Sequence, residues 1–261
     1  MDRSLIAGAN AWFRAAETAR RDRILDDRYA IHLAERDLRV QAVRFGRFLA
    51  PPLARELARL QVAHCVRHAA IDRLVLDAAR DGYRIVIVGA GYDMRASRFD
   101  LDNVVEVDHP ATAARKIELL ADHAHKPVER VAIDLLVEDL PRFEGKTCFV
   151  LEGFLHYLSP HRFDALLESM RGGRIIASYI RTEMYLAGDS MFVQLIKLLR
   201  EIPRLHFTKT TLAAKLAEHG FAHFVSYDAA EQIENFVPSA RGREIRLSQD
   251  VAVAESSRRS R

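Results

Sequence analysis

The chain has 261 residues, 49% of them hydrophobic and 29% charged, so it can bury a sizeable core and wholesale disorder is excluded. Thirty-nine Lys and Arg nearly balance 36 Asp and Glu; the net charge of +3 is too even to point to nucleic acid. No apolar run approaches the roughly 18 residues that a membrane span needs, and Asp2, Arg3 and Arg14 make the N-terminus a poor signal peptide, which predicts a soluble cytoplasmic protein.

Up to about residue 80 the pattern is helical. Residues 14–35 form a charged helical zone, and Pro51-Pro52 marks a joint. Between 54 and 79, Leu57, Leu60, Ala63, Val66, Ala70 and Leu74 recur at spacings of three and four, as in a helix with one apolar stripe. Cys65 falls in this helix and Cys148 in a later apolar run, which implies no disulfide framework. After Gly82, short apolar runs alternate with helical stretches. Arg84–Val88, Val104–Asp108, 130–133, Thr147–Leu151 and 174–180 each predict a buried strand of a parallel sheet covered on both faces. Residues 183–203, rich in Met, Leu, Ile and Phe, predict a helical insertion. It reads as a lid over the carboxyl ends of the strands or, equally, as a packing helix or dimer contact. A helix over 210–219 leads to strands at Phe221–Tyr227 and 244–253, the last alternating as suits an antiparallel partner near an edge. The expected fold is α/β, with a seven-stranded, doubly wound, mostly parallel sheet. It comprises an N-terminal helical segment over 1–80, a core over 81–255 with the insertion at about 183–206, and a disordered tail over 256–261.

The most informative stretch is Ile85-Val86-Ile87-Val88-Gly89-Ala90-Gly91-Tyr92-Asp93, a buried strand running into a Gly-x-Gly turn. Glycines let the backbone turn sharply and let a ligand approach without meeting a Cβ. Alone, the motif is also compatible with an ordinary tight turn. Asp108, at the end of the second strand, lies at the distance where an acid can accept hydrogen bonds from ribose hydroxyls, although a plain strand-end carboxylate is the alternative. The third small residue of a dinucleotide fingerprint is replaced by Met94, which disfavours a pyrophosphate site and a nicotinamide-dependent reductase. A nucleoside ligand without a diphosphate is expected, and S-adenosylmethionine fits.

These residues resemble a family. The run from Val88 to Arg98, Glu106-Val107-Asp108-His109-Pro110, and Leu151-Glu152-Gly153-Phe154-Leu155-His156-Tyr157-Leu158 resemble, in order, segments of the leucine carboxyl methyltransferase-like family of class I S-adenosylmethionine-dependent methyltransferases. Arg14-Ala15-Ala16-Glu17 and Leu25-Asp26-Asp27-Arg28-Tyr29-Ala30 are similar to its entry segment. The resemblance implies a Rossmann-like methyltransferase fold and a cofactor site. In it Arg67 takes the methionine carboxylate, Gly89, Ala90, Gly91 and Asp93 form the turn, and Asp108 with His109 flanks the ribose. Asp134 and Leu135 read the adenine, and Glu152 faces the amino-acid end. Arg28 stands in place of a proline, and His109 and His156 replace the usual glutamine and apolar residue, which leaves the acceptor open.

Methyl transfer from a sulfonium is an in-line displacement, for which the protein supplies mainly alignment. A carboxylate acceptor needs no base, only groups to hold it, and Arg181 with Tyr157 or Tyr179 are the candidates. A hydroxyl acceptor needs proton removal, for which His156 is the candidate. The expected partner is a small-molecule or peptide carboxylate, with no nucleic acid and no membrane, and a homodimer is left open. A non-catalytic partner protein that retains the cofactor is the rival reading. The pairs His64/His68 and His123/His125 have no third ligand nearby in sequence, so no metal is expected.

Overall fold

The computed structural model describes residues 4–35, 51–186, 203–245 and 249–256. Among these, seven strands form one sheet: β1 Arg84–Val88, β2 Val104–Asp108, β3 Glu129–Ala132, β4 Thr147–Leu151, β5 Arg174–Tyr179, β6 Phe221–Tyr227 and β7 Asp250–Ser256. Their order is β3-β2-β1-β4-β5-β7-β6. Strands β1 to β5 pair in parallel, and β7 runs antiparallel between β5 and β6. The chain runs outward from β1 through β2 and β3, then returns to the other side of β1 with β4. Such a reversal opens a crevice at the carboxyl ends of the strands.

Alternation sends each central strand's side chains to two cores. On one face Val86, Val88, Phe149, Leu151 and Ile175 pack with Phe163 and Leu167 of the helix Pro160–Ser169 and Leu212 and Leu216 of the helix Lys209–Glu218. On the other face Ile85, Ile87, Cys148, Val150 and Ile176 pack with Ile71, Val75 and Ala78 of the long helix Pro51–Arg80. Both cysteines are buried, and burial pushes the Cys148 thiol up to about 12. No helix of the described residues is long and apolar enough to cross a membrane.

The N-terminal zone differs from the expected helical run. It is two helices, α1 Ser4–Thr18 and α2 Ala30–Glu35. Asp27 sets the break: Oδ1 accepts the N–H groups of Tyr29 and Ala30, and its own N–H donates to Thr18 Oγ1. Such local side-chain bonds compete with a continuous helix. Ala11, Tyr29, Leu33 and Ala34 pack on Tyr92 and Met94, so the residue that breaks the dinucleotide fingerprint is a core contact for the N-terminal helices.

The last strand also differs. It starts at Asp250 rather than 244, and Ser256 is its final residue, so the tail does not begin there. Antiparallel pairing near an edge is as expected, and β7 lies one strand in from it. Val251, Ala252 and Ala254 are therefore all buried and the strict alternation is lost. Most of the predicted lid falls on residues 187–202, outside the described residues, as do residues 257–261 of the tail. The two ends of the insertion are joined: Phe207 N–H donates to Ile180 O at 3.0 Å, and Thr182 N–H donates to Phe207 O at 3.0 Å.

Candidate functional site

A cleft of about 1030 Å³, counted with its open mouth, lies at the carboxyl ends of β1 to β4. Each strand delivers one part of the wall: β1 the turn Gly89–Gly91, β2 Asp108, β3 Asp134 and Leu135, and β4 Glu152 to Phe154. The N-terminal helix α1 adds Ala7, Asn10 and Arg14, and the long helix adds His64, Arg67 and His68. Spacings of three and four place the last three on one face of that helix.

The glycine turn has two steric reasons. Gly89 and Gly91 have φ of +69° and +49°, and a Cβ on Gly89 would lie 2.5 Å from Phe154 Cδ2. Asp108 closes the turn: Oδ2 accepts the Gly91 N–H, and Oδ1 accepts the His109 N–H at 2.6 Å. Burial pushes its carboxyl up in spite of these bonds. His109 caps the helix Pro110–Leu119 by accepting Ala111 N–H at Nδ1, and its Nε2 lies 3.9 Å from Asp134. Asp134 Oδ1 accepts the Leu136 N–H, fixing the turn after β3.

Beneath the turn lies a buried charge network. Arg95, fully buried, bonds Asp72 at 2.7 Å, Glu152 Oε2 at 2.7 Å, and Asp93. Arg98 bonds Asp72 at 2.7 Å and His68 Nε2 at 2.9 Å. A guanidinium can only donate, so His68 Nε2 accepts from Arg98, while Nδ1 lies 2.9 Å from Glu152 Oε2 and 3.0 Å from Arg95 Nη2. Glu152 Oε1 has one bond, from Arg67 Nε at 3.2 Å, so it is the more weakly held oxygen. Burial pushes the Glu152 carboxyl up, but His68, Arg95 and Arg67 outweigh it and hold it well below the usual range. Arg98, His68 and Arg95 likewise overcome burial to hold Asp72 at about 2.

All ten residues expected at the cofactor line the cleft, as does Tyr157. Asp93 keeps its place in the turn: Oδ1 accepts Arg95 N–H at 2.7 Å and Oδ2 takes the Arg95 guanidinium, so its carboxylate braces the turn. His156 and Arg181 are not in the cleft wall. Burial, with the Arg67 charge, holds the His156 imidazole at about 3, too weak a base to take a phenol proton near neutrality. Arg181, 44% exposed, pairs with Asp250 at 3.3 Å. Tyr179 is a core residue bonded to Ser226 and Asp250.

Residue spacing missed Phe154 as the ring over Gly89, Arg14 as a wall residue, and the meeting of His64 and His68 with Glu152. Donor atoms of these last three lie within 4.8 Å of one another. The histidine pair is visible as an i, i+4 repeat, but the carboxylate comes from 84 residues away and leaves no local signal. Guanidinium groups already occupy this cluster: Arg67 and Arg95 hold Glu152, Arg67 holds His64, and Arg98 holds His68.

The family model for leucine carboxyl methyltransferase matches residues 7–171, more than half of the chain. A Rhodococcus jostii (strain RHA1) protein named "Putative S-adenosyl-L-methionine-dependent methyltransferase" is 33% identical over 196 residues, covering 69% of this chain and 65% of the relative. A similarly named Mycobacterium tuberculosis (strain ATCC 25618 / H37Rv) protein is 33% identical over 151 residues, covering 52% of this chain and 47% of the relative. The chain thus spans between about half and two thirds of the length of these curated relatives. A solved Bordetella parapertussis protein shares the fold with a TM-score of 0.53 and 19% identity, covering 87% of this chain and 83% of its own. By sequence and architecture together, the chain belongs to the leucine carboxyl methyltransferase family of S-adenosylmethionine-dependent methyltransferases.

Proposed function

We propose that this protein binds S-adenosylmethionine and transfers its methyl group to an oxygen, with a carboxylate as the acceptor and a methyl ester as the product. The observation that carries the reading is the single cleft that gathers Gly89, Gly91, Asp108, Leu135, Arg67 and Glu152 from four strand ends and one helix. The donor set fits the cofactor. Gly89 offers a turn without a Cβ, Asp108 suits ribose hydroxyls, and Leu135 supplies an apolar wall beside Asp134. Arg67 and Glu152 are a cation and an anion for a zwitterionic amino-acid end.

When bound, the sulfonium supplies an already activated methyl group. The protein's part is to hold the two reactants in line, which is worth at most about 7–11 kcal/mol. Arg95 and His68 hold Glu152 Oε2, so Oε1, bonded only by Arg67, is the oxygen that would take a ligand ammonium, and Arg67 would take a ligand carboxylate. Tyr157 is assigned to the acceptor side of the cleft. A carboxylic acid has a pKa of about 4 and is an anion at neutral pH, so the step needs no proton acceptor. The low basicity of His156 favours this over a hydroxyl acceptor. Arg181 is assigned to neither reactant, because Asp250 engages it and it is absent from the wall.

Calorimetry tests the binding step: S-adenosylmethionine binds and a nicotinamide dinucleotide does not. Asp108→Ala weakens that binding by about 1.5–3 kcal/mol, the range for a hydrogen bond to a charged group. Mass spectrometry of candidate acids tests the transfer, with a single methyl increment that is lost on mild alkaline treatment. An alkali-stable product would instead favour the hydroxyl acceptor.

A further inference from the structure

His64 has a hydrogen bond to spare. It lies on the cleft wall, 7% exposed, one helical turn before His68. Its Nδ1 is 2.9 Å from Arg67 Nη2. A guanidinium has only protons to give, so Nδ1 accepts, and the proton of the neutral ring sits on Nε2. Burial, aided by the Arg67 charge, pushes the imidazole well below its ordinary value and keeps it neutral. Nε2 is buried and has no hydrogen-bond partner among the described residues.

The neighbouring ring makes the contrast. His68 is buried to a similar degree, yet both of its nitrogens have partners: Arg98 at Nε2, and Glu152 and Arg95 at Nδ1. Buried N–H groups in folded proteins almost always have an acceptor, so an unmatched donor on the wall of a ligand cleft marks a place for one. The surrounding charge selects its sign: Arg67 bonds the same ring at 2.9 Å and lines the same cleft. A guanidinium and an N–H together suit an anionic oxygen. Glu152, which also acts on that ring, is held at Oε2 by Arg95 and His68.

We propose that His64 is a cofactor-binding residue whose Nε2–H donates to the carboxylate of the methionyl tail, beside Arg67. The inference rests on the reading that the cleft takes S-adenosylmethionine. It makes His64 part of the recognition of the tail and leaves the nucleoside end untouched.

Calorimetry on the full chain with two probes tests this: S-adenosylmethionine, and 5′-methylthioadenosine, which keeps the nucleoside and lacks the amino-acid end. His64→Leu weakens binding of S-adenosylmethionine about tenfold or more, as for a lost bond to a charged group, and leaves methylthioadenosine unchanged. His64→Gln, whose amide N–H reaches the place of Nε2–H, recovers most of the loss. In the wild-type protein, the His64 Nε2 resonance shifts with S-adenosylmethionine and stays in place with methylthioadenosine, a readout that does not depend on any variant folding. Equal losses for both probes, or an unmoved resonance at saturation, would overturn the assignment of His64 alone. Absence of any wild-type binding of S-adenosylmethionine would overturn the proposed function, and this inference with it.

Discussion

At Gly89 two constraints coincide. The left-handed φ of +69° costs any L side chain about 1–2 kcal/mol, and a Cβ would overlap the Phe154 ring, 2.5 Å away. Gly89→Ala is therefore expected to destabilise the fold by more than the backbone cost, and Phe154→Ala should return the steric part. A double-mutant cycle on thermal unfolding measures this. Strict additivity would show that ring and turn are independent. The need for glycine was legible in the sequence because it follows from the strand-to-turn transition. The ring was not, because Phe154 arrives from β4, sixty-five positions along the chain. Asp93 is local in the way that the glycine is, because its partner Arg95 lies only two positions on.

Among the elements, β1, β2, β4 and the edge strand β6 have the bounds that their sequence predicts, and β5 ends one residue early. β3, at the other edge, is displaced by one residue. β7 has the antiparallel pairing near an edge that its alternation suggests, but it runs over Asp250–Ser256 rather than 244–253. The short helix Arg95–Arg98 gave no periodicity to detect, yet it presents two of the three arginines of the buried network. Arg95→Met leaves Asp72, Asp93 and Glu152 without their shared cation. Breaking one side of a buried ion network costs about 3–5 kcal/mol, so the urea midpoint should fall sharply. An unchanged midpoint would mean that Arg98 and Arg67 suffice to neutralise all three acids.

For the molecule as a whole, the buried acids set the response to pH. Asp72 titrates at about 2 in the fold, below the value of about 3.9 in an unfolded chain. As the pH falls, the unfolded state binds the proton first, so the stabilisation is complete above about pH 4 and is lost towards pH 2. Asp72 alone accounts for about 2 kcal/mol. The lowered Glu152 and Asp27 carboxyls act with the same sign. Buried His64 and His68, also lowered, begin to cost stability below about pH 6.5, where an unfolded imidazole charges and these do not. Asp250, pushed by burial up to about 6, opposes them between about pH 6 and 4, because the fold takes its proton first. Urea midpoints should decline gently from pH 6.5 to 4 and steeply below. A flat profile to pH 3 would contradict the charge network. The overall topology was readable because it rests on local periodicity repeated seven times. The network was not, because its members come from three separate elements. One of these, the 30-residue helix Pro51–Arg80, seats Ile71, Val75 and Ala78 in the core and lifts His64 and Arg67 into the cleft. A single rod thus serves as both foundation and socket. The amides around residue 66 should exchange with deuterium nearly as slowly as those around residue 75, so that a ligand meets a pre-stiffened wall and little ordering remains to be done on docking.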